Sequence, residues 1–133
     1  KILVYDILNI FYYKSSPRGE RYMTVYIVQE MRGRDLSDAT SFGDLEILLP
    51  AKYQTSFSAQ PTLRILDRKL RKFNDKDYLL LAGDPVAIAL ASAIAARTNG
   101  GRLKMLKWDR EQNMYFPLEA DTNHNIIIKM EEE

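Results

Sequence analysis

The chain contains no cysteine and only one histidine, and these two shortages exclude several kinds of site. Without cysteine there can be no disulfide, no thiolate nucleophile and no thiolate-bound zinc. With His124 as the only histidine, histidine metal clusters and a Ser-His-Asp triad elsewhere in the chain are excluded. His124 stands between two asparagines in a predicted turn, and we interpret it as a surface residue. The lack of cysteine is consistent with the reducing environment of a cytoplasm, where we expect the protein to act.

The charge balance and the short apolar runs exclude further classes of protein. The formal net charge is +1, so no global field attracts the chain to nucleic acid or to anionic lipid. The longest mainly apolar run, residues 86–96, is well short of the roughly 20 residues that a membrane span needs. The apolar stretch at the N-terminus is interrupted by Asp6 and Asn9, and no small-residue cleavage site follows it, so we do not expect a signal peptide.

The length and composition predict one folded domain. The chain has 133 residues, of which 46% are hydrophobic and 28% are charged. These values suit a single globular domain with a core of its own, and the chain is too short for two ordinary domains. We therefore predict a single α/β domain over residues 1–133.

Strand and helix patterns alternate between residues 44 and 108, which predicts a parallel sheet. The segments "DLEILLP", "DYLLLAG" and "RLKMLKW" are apolar enough for buried strands. Between them, "PTLRILDRKLRKF" repeats leucine and phenylalanine at three- and four-residue spacing, and "DPVAIALASAIAARTNGG" is a second helical segment. This β-α-β-α-β order implies a mainly parallel sheet with right-handed crossovers.

Further segments on either side predict flanking strands. "KILVY", "YMTVYIVQE", "MYFPLEA" and "NIIIKM" have strand patterns, and we expect them to extend the sheet at its edges, antiparallel strands included. "MRGRDLSDATSFG" is polar, and we predict a loop there.

The corner Gly83-Asp84-Pro85 supports two interpretations. In the structural one, Gly83 permits a tight turn, Asp84 caps the following helix and Pro85 occupies its first position. In the functional one, the corner belongs to a ligand site, because ligands of open parallel sheets bind beyond the carboxyl ends of the strands. The loops at that end offer these candidate ligand-binding residues: Tyr53, Ser56, Ser58, Gly83, Asp84, Trp108, Asp109 and Arg110. A phosphate is not favoured at this corner, because Asp84 already occupies the helix N-terminus.

The alanine-rich helix after this corner has no charged residue before Arg97. A helix that is apolar on all sides must be buried on all sides, and two helices are too few to cover it within one chain. We therefore predict a homodimer, with a larger core as the alternative.

The basic helical segment carries the candidate nucleic-acid contacts Arg64, Arg68, Arg71 and Lys72, together with Lys69. We interpret them as the solvated face of an amphipathic helix. A phosphate-contacting surface is the alternative. Asp67 dilutes the positive charge, and no aromatic residue is interleaved for base stacking.

The N-terminal segment "VYDILNIFYY" resembles the opening of NYN and PIN-like ribonuclease domains. The resemblance implies a metal-dependent ribonuclease in which Asp6, Asn9 and Asp84 hold Mg²⁺ or Mn²⁺. The second aspartate of that family's later corner is missing, since Pro85 and Val86 occupy the region.

A longer resemblance covers residues 23–119. The segments "LSDATSFGDLEILLP", "DYLLLAGDPVAIALASAIAA" and "GGRLKMLKWDREQNMYFP" are similar to small proteins encoded by tailed bacteriophages, a family without an assigned activity. The resemblance implies a viral protein made inside a bacterium, in which residues 1–22 are an N-terminal extension. We expect a non-enzymatic binding or regulatory protein without a cofactor, acting on a host or viral protein in the host cytoplasm. A structural or assembly protein is the alternative.

Overall fold

The computed structural model describes residues 23–123, which form five strands, two α-helices and one 3-10 helix. In chain order they are β1 Thr24–Gln29, the 3-10 helix Ser37–Phe42, β2 Asp44–Leu49, α1 Gln60–Lys69, β3 Tyr78–Leu80, α2 Pro85–Thr98, β4 Arg102–Asp109 and β5 Met114–Asp121. The strands predicted from "KILVY" and "NIIIKM", the turn at His124, and both Asp6 and Asn9 lie outside the described residues.

The strands form one sheet in the order β2-β1-β3-β4-β5. The first four strands are parallel, and β5 pairs with β4 in the antiparallel sense. The predicted α/β fold, with a mainly parallel sheet and an antiparallel flank, is therefore confirmed.

The position of β1 corrects the sequence-based expectation. We predicted this strand at an edge of the sheet, but it lies between β2 and β3, so the crossover through α1 passes over it. Every residue of β1 after Thr24 is buried. A strand that is apolar towards both faces is most stable where both faces are covered, which is the middle of the sheet.

Helices α1 and α2 cover one face of the sheet. Their buried side chains Leu66 and Leu70 from the α1 region, and Ala91 and Ile94 from α2, pack on strand residues that include Leu79. Of the helical face predicted from leucine and phenylalanine spacing, Leu66, Leu70 and Phe73 are buried and Leu63 is partly buried. The helix ends at Lys69, four residues earlier than predicted, and the turn after it carries the last two apolar residues of that face.

The opposite face of the sheet is covered by the segment that we predicted as a polar loop. That prediction was wrong, because residues 37–42 form a 3-10 helix and both Leu36 and Ala39 are buried. These two side chains join a second core with strand residues such as Ile27 and Leu106. Leu36, Ala39 and the partly buried Phe42 follow one another at a spacing of three and dock the segment, although most of its residues are polar.

Within residues 23–123, one apolar side of the alanine-rich helix α2 is exposed. Ala87, Ala91, Ile94 and Ala95 are buried against the sheet and α1. Val86 is 48% exposed, and Ala89 and Ala93 on the same side are exposed as well.

The outer edge of β5 is protected against pairing with another strand. Thr122 N donates to Gly101 O, so Thr122 is one of the residues of β5 whose backbone nitrogen points towards β4. Hydrogen-bonded positions alternate along an antiparallel strand, and Pro117, five residues earlier, therefore has its backbone nitrogen on the side away from β4. A proline there costs no hydrogen bond with β4 and removes a donor from the side of β5 that pairs with no other described strand.

Candidate functional site

The side chain of Gln29 ties together the loops at the carboxyl ends of the first three strands. It ends β1 and is 6% exposed. Its Nε2 donates to Tyr53 O at 2.8 Å and to Pro50 O at 3.2 Å, and its Oε1 accepts from Asp84 N at 2.8 Å. A single buried amide therefore holds the loop after β2 against the corner after β3.

This tie lies where ligands bind in open parallel sheets. The connection after β1 runs through the 3-10 helix on one face, whereas the connection after β3 enters α2 on the other face. Neighbouring strands whose connections leave to opposite faces form a topological switch point, with a crevice at their carboxyl ends.

Gly83 is required by a close approach to Gln29. Its φ is +114°, and a Cβ added at this position would lie 2.3 Å from the Cβ of Gln29. The corner therefore accepts only glycine, both for its backbone conformation and for its contact with β1.

Asp84 caps α2, as the structural interpretation predicts. Its Oδ2 accepts from Ala87 N at 3.0 Å and from the Thr55 hydroxyl at 3.3 Å. The same carboxylate thus starts the helix and fastens the loop after β2. Among residues 23–123, no group of three or more His, Cys, Asp or Glu side chains is placed to hold a metal ion.

Most of the predicted ligand-binding residues after β2 and β3 come together at this end of the sheet. The loop that bonds to Gln29 and Asp84 also carries Ser56 and Ser58, both exposed, and the Ser56 hydroxyl donates to Ser58 O at 3.0 Å. The Tyr53 hydroxyl turns inward and shares a hydrogen bond of 2.8 Å with Thr62.

The predicted residues after β4 are not brought to this place. Trp108 lies on the face of the 3-10 helix, with its ring edge-on to Tyr115 at a centroid distance of 4.8 Å. Asp109 accepts from Glu111 N at 3.0 Å within the β4–β5 turn, and Arg110 is exposed beside it.

Three exposed apolar side chains at this end were missed by the sequence analysis. Met31 is 38% exposed, Phe57 is 113% exposed and Val86 is 48% exposed. Gln29, Thr55 and Asp84 form the hydrogen bonds that join these loops. Met31, Phe57 and Val86 each follow one of these three residues by two positions in the sequence. We call Met31, Phe57 and Val86 the apolar rim. A phenylalanine inside the polar run "QTSFSAQ" was the signal that could have revealed it.

A comparison with protein-family models matches residues 23–122 to the model described as Phage Pam3 gp32-like protein. The chain belongs to this family. The match covers about three quarters of the sequence and confirms the resemblance to phage proteins. No match is found among curated proteins or among solved structures.

The Pam3 gp32-like match does not support the resemblance to NYN and PIN-like ribonucleases. It begins at residue 23 and includes neither Asp6 nor Asn9. Asp84, the third residue of that hypothesis, has its described contacts within the helix cap and the loop tie.

The basic residues of this family member surround an acidic one. Arg64 and Arg68 are exposed on α1, and Arg71 and Lys72 are exposed in the turn after it. The Asp67 carboxylate lies 2.8 Å from the Arg97 guanidinium and 4.0 Å from the Arg71 guanidinium. It therefore balances part of the positive charge that the basic residues give this surface. Lys69 donates to Leu48 O at 2.8 Å and anchors α1 to β2.

No helix among the described residues has the length and apolar character needed to cross a membrane.

Proposed function

We propose that this phage protein is a non-enzymatic binding protein that acts on a host or viral protein in the cytoplasm of the infected cell and docks through the apolar rim. The observation that carries the proposal is the complete exposure of Phe57, on the loop that is hydrogen-bonded to Gln29 and Asp84 at the same end of the sheet as Met31 and Val86. Full burial of a phenylalanine side chain stabilises a protein by about 1.5–3 kcal/mol, and the described fold makes no use of this one.

The loops that present the rim are already fixed in place. Gln29 joins the loops after β2 and β3, and Thr55 repeats the connection through Asp84. A surface that is ordered before binding loses less conformational entropy when a partner docks. Exposed aromatic side chains on such surfaces are frequent centres of binding energy.

The chemistry of the rim favours a protein partner over a nucleic acid. Two of its three side chains are aliphatic or thioether groups, which match the apolar side chains of another protein. The net charge of +1 provides no general attraction for phosphates.

We expect Phe57→Ser to weaken partner binding at least tenfold, which corresponds to about 1.4 kcal/mol. Its free energy of unfolding should stay within about 0.5 kcal/mol of the parent value, because the ring is fully exposed in the described part of the chain. The tagged chain is used to capture proteins from phage-infected cells, and the affinity for the recovered protein is then measured for parent and variant. Gln54→Ser, at an exposed position of the same loop, is the matched control and should bind like the parent. Equal affinity of Phe57→Ser and the parent would overturn the proposal.

We also propose that the protein self-associates through the exposed side of α2. Ala89 and Ala93, which lie beyond the apolar rim along α2, offer an apolar surface with little side-chain bulk, and a two-fold dimer is the commonest way to close such a surface. Light scattering at micromolar concentration should give about twice the chain mass of 15.4 kDa, and Ala93→Glu should return it to the mass of one chain. A parent mass of 15.4 kDa, or a dimer that survives Ala93→Glu, would contradict this interface.

A further inference from the structure

The face of β5 on the side of the helices carries an apolar strip. Leu103 is buried in the core beneath the helices and Met105 packs against that core, and these two residues of β4 stand opposite Ala120 and Leu118 of β5. Opposite residues of an antiparallel pair lie on the same face, and side chains alternate along each strand. The side chains of β5 on the helix side are therefore Met114, Phe116, Leu118 and Ala120. We call these four residues the β5 strip.

Most of the β5 strip is exposed in the described part of the chain. Leu118 is 42% exposed and Met114 is 46% exposed, while Ala120 is exposed and Phe116 is partly buried. Within residues 23–123, none of the four belongs to either of the two cores. The apolar rim is carried by the ends of the first three strands, whereas β5 lies beyond β4. The β5 strip is therefore separate from the docking function proposed for the rim.

The β5 strip is too small to hold a second copy of the chain by itself. A stable interface between two proteins buries about 800 Å² on each partner and involves about 20–30 residues a side. The strip offers four side chains, and one of them is an alanine. A segment of the same chain needs much less contact, because its tether gives it an effective concentration of about the millimolar range. The strip therefore suits an occupant from its own chain.

The chain leaves the described fold at one end of the β5 strip. Thr122 N donates to Gly101 O at 2.8 Å, and Asn123 Nδ2 donates to Gly100 O at 2.8 Å. The two glycines connect α2 to β4. The two hydrogen bonds therefore hold Asn123 against this connection, three residues after Ala120.

The residues that follow Asn123 have the composition and the length to cover the strip. The segment "HNIIIKM", residues 124–130, contains three consecutive isoleucines and a methionine. Seven residues can span up to about 23 Å. The six steps from Ala120 back to Met114 measure about 20 Å along β5. The segment can therefore reach the whole strip from Asn123.

We propose that residues 126–130 dock on the β5 strip of their own chain, with isoleucine side chains covering Leu118 and Phe116. Removing apolar side chains of both partners from water is the driving force. Extension of the sheet at the outer edge of β5 is less favourable, because a carbonyl opposite Pro117 would find no donor. Docking on the face uses side chains only and does not meet this obstacle.

Cross-linking tests the contact directly, because the chain has no cysteine of its own. In the full chain, Leu118→Cys with Ile128→Cys places one thiol on the strip and one on the segment, and a short bismaleimide reagent should join them within one chain. Glu119→Cys with Ile128→Cys is the matched control, since the side chain at 119 points to the opposite face. Its tether to residue 128 is one residue shorter, so the tether alone would favour the control.

We expect the pair with Leu118→Cys to cross-link about tenfold faster than the control, because docking raises the effective concentration of the second thiol at the strip. Equal rates in the two pairs would overturn the proposal. A main product with twice the chain mass would overturn it as well, because a second copy would then be the occupant.

Unfolding in urea measures the same contact without a cross-link. Ile126→Ser with Ile128→Ser should lower the urea midpoint, and so should Leu118→Ser. The combined variant should lose clearly less than the sum of the two losses, because both changes remove the same contact. Asn125→Ser, next to the isoleucines, is the control and should keep the parent midpoint. Additive losses, or a parent-like midpoint for the isoleucine variant, would overturn the proposal.

Discussion

Gln29→Leu is expected to lower the free energy of unfolding by about 3 kcal/mol or more, since each buried polar group left without a partner costs about 1–3 kcal/mol. The leucine keeps the approximate volume of the side chain but removes the amide that bonds to Pro50 O, Tyr53 O and Asp84 N. Those groups stay close to a buried side chain and cannot all be reached by water. For a domain whose whole stability is about 5–15 kcal/mol, this is a large fraction.

Urea denaturation followed by far-ultraviolet circular dichroism measures the effect. Gln54→Leu makes the same chemical change at an exposed position one residue past Tyr53, and it should stay within about 0.5 kcal/mol of the parent. If both variants unfold at the same urea concentration, Gln29 is not the structural tie that we describe. A variant that remains folded should also lose affinity for the docking partner, because the loops of the apolar rim would no longer be held together.

The local patterns of the sequence were sufficient for the helices. Leu66, Leu70 and Phe73 at helical spacing predicted which face of α1 is buried. Asp84 followed by Pro85 predicted the first residue of α2 together with its cap. The buried face of α1 and the capped start of α2 each depend on residues within one or two helical turns of each other. Residue type and spacing in the sequence are therefore enough to predict them.

The order of the strands was outside the reach of such patterns. β1 lies between β2 and β3 because it is buried towards both faces, and that depends on what the 3-10 helix and α1 cover. The segment with Leu36 and Ala39 was predicted as a loop, so the sequence analysis left the second face without a cover. β1 precedes the alternating β-α-β-α-β segment, and the sequence analysis therefore treated it as a flanking strand.

The candidate site depends on contacts between residues distant in sequence. Gln29 and Asp84 are 55 positions apart, and no local motif joins them. The sequence located the corner at Gly83 and Asp84, but the role of Gln29 requires the three-dimensional register of β1 beside β3. Trp108 was grouped with this corner because it follows a parallel strand. The alternation of side chains along β4 instead turns its ring towards Tyr115 on the other face.

Gly83→Ala is also expected to lower the free energy of unfolding strongly, because the register of β1 beside β3 brings Gln29 against Gly83. The added Cβ would stand 2.3 Å from the Cβ of Gln29 and 2.7 Å from its Oε1, and the φ of +114° is one that alanine rarely adopts. Relief of the clash requires that β1 and the corner move apart, which would break the hydrogen bond from Asp84 N to Gln29. Backbone strain and overpacking each cost about 1–3 kcal/mol, so we expect a loss of about 3 kcal/mol or more.

Gly33→Ala separates the two causes. Gly33 has a φ of +79°, but nothing lies within 4 Å of an added Cβ, so that variant carries only the conformational cost of about 1–2 kcal/mol. Urea unfolding of both variants should therefore show Gly83→Ala to be less stable than Gly33→Ala by more than 1 kcal/mol, because only Gly83→Ala adds a clash with β1 and its φ of +114° also lies further from the left-handed region that alanine can adopt. Equal losses would mean that the corner and β1 are not in contact in solution. In that case the tie that presents the apolar rim, and with it the proposed docking surface, would have to be abandoned.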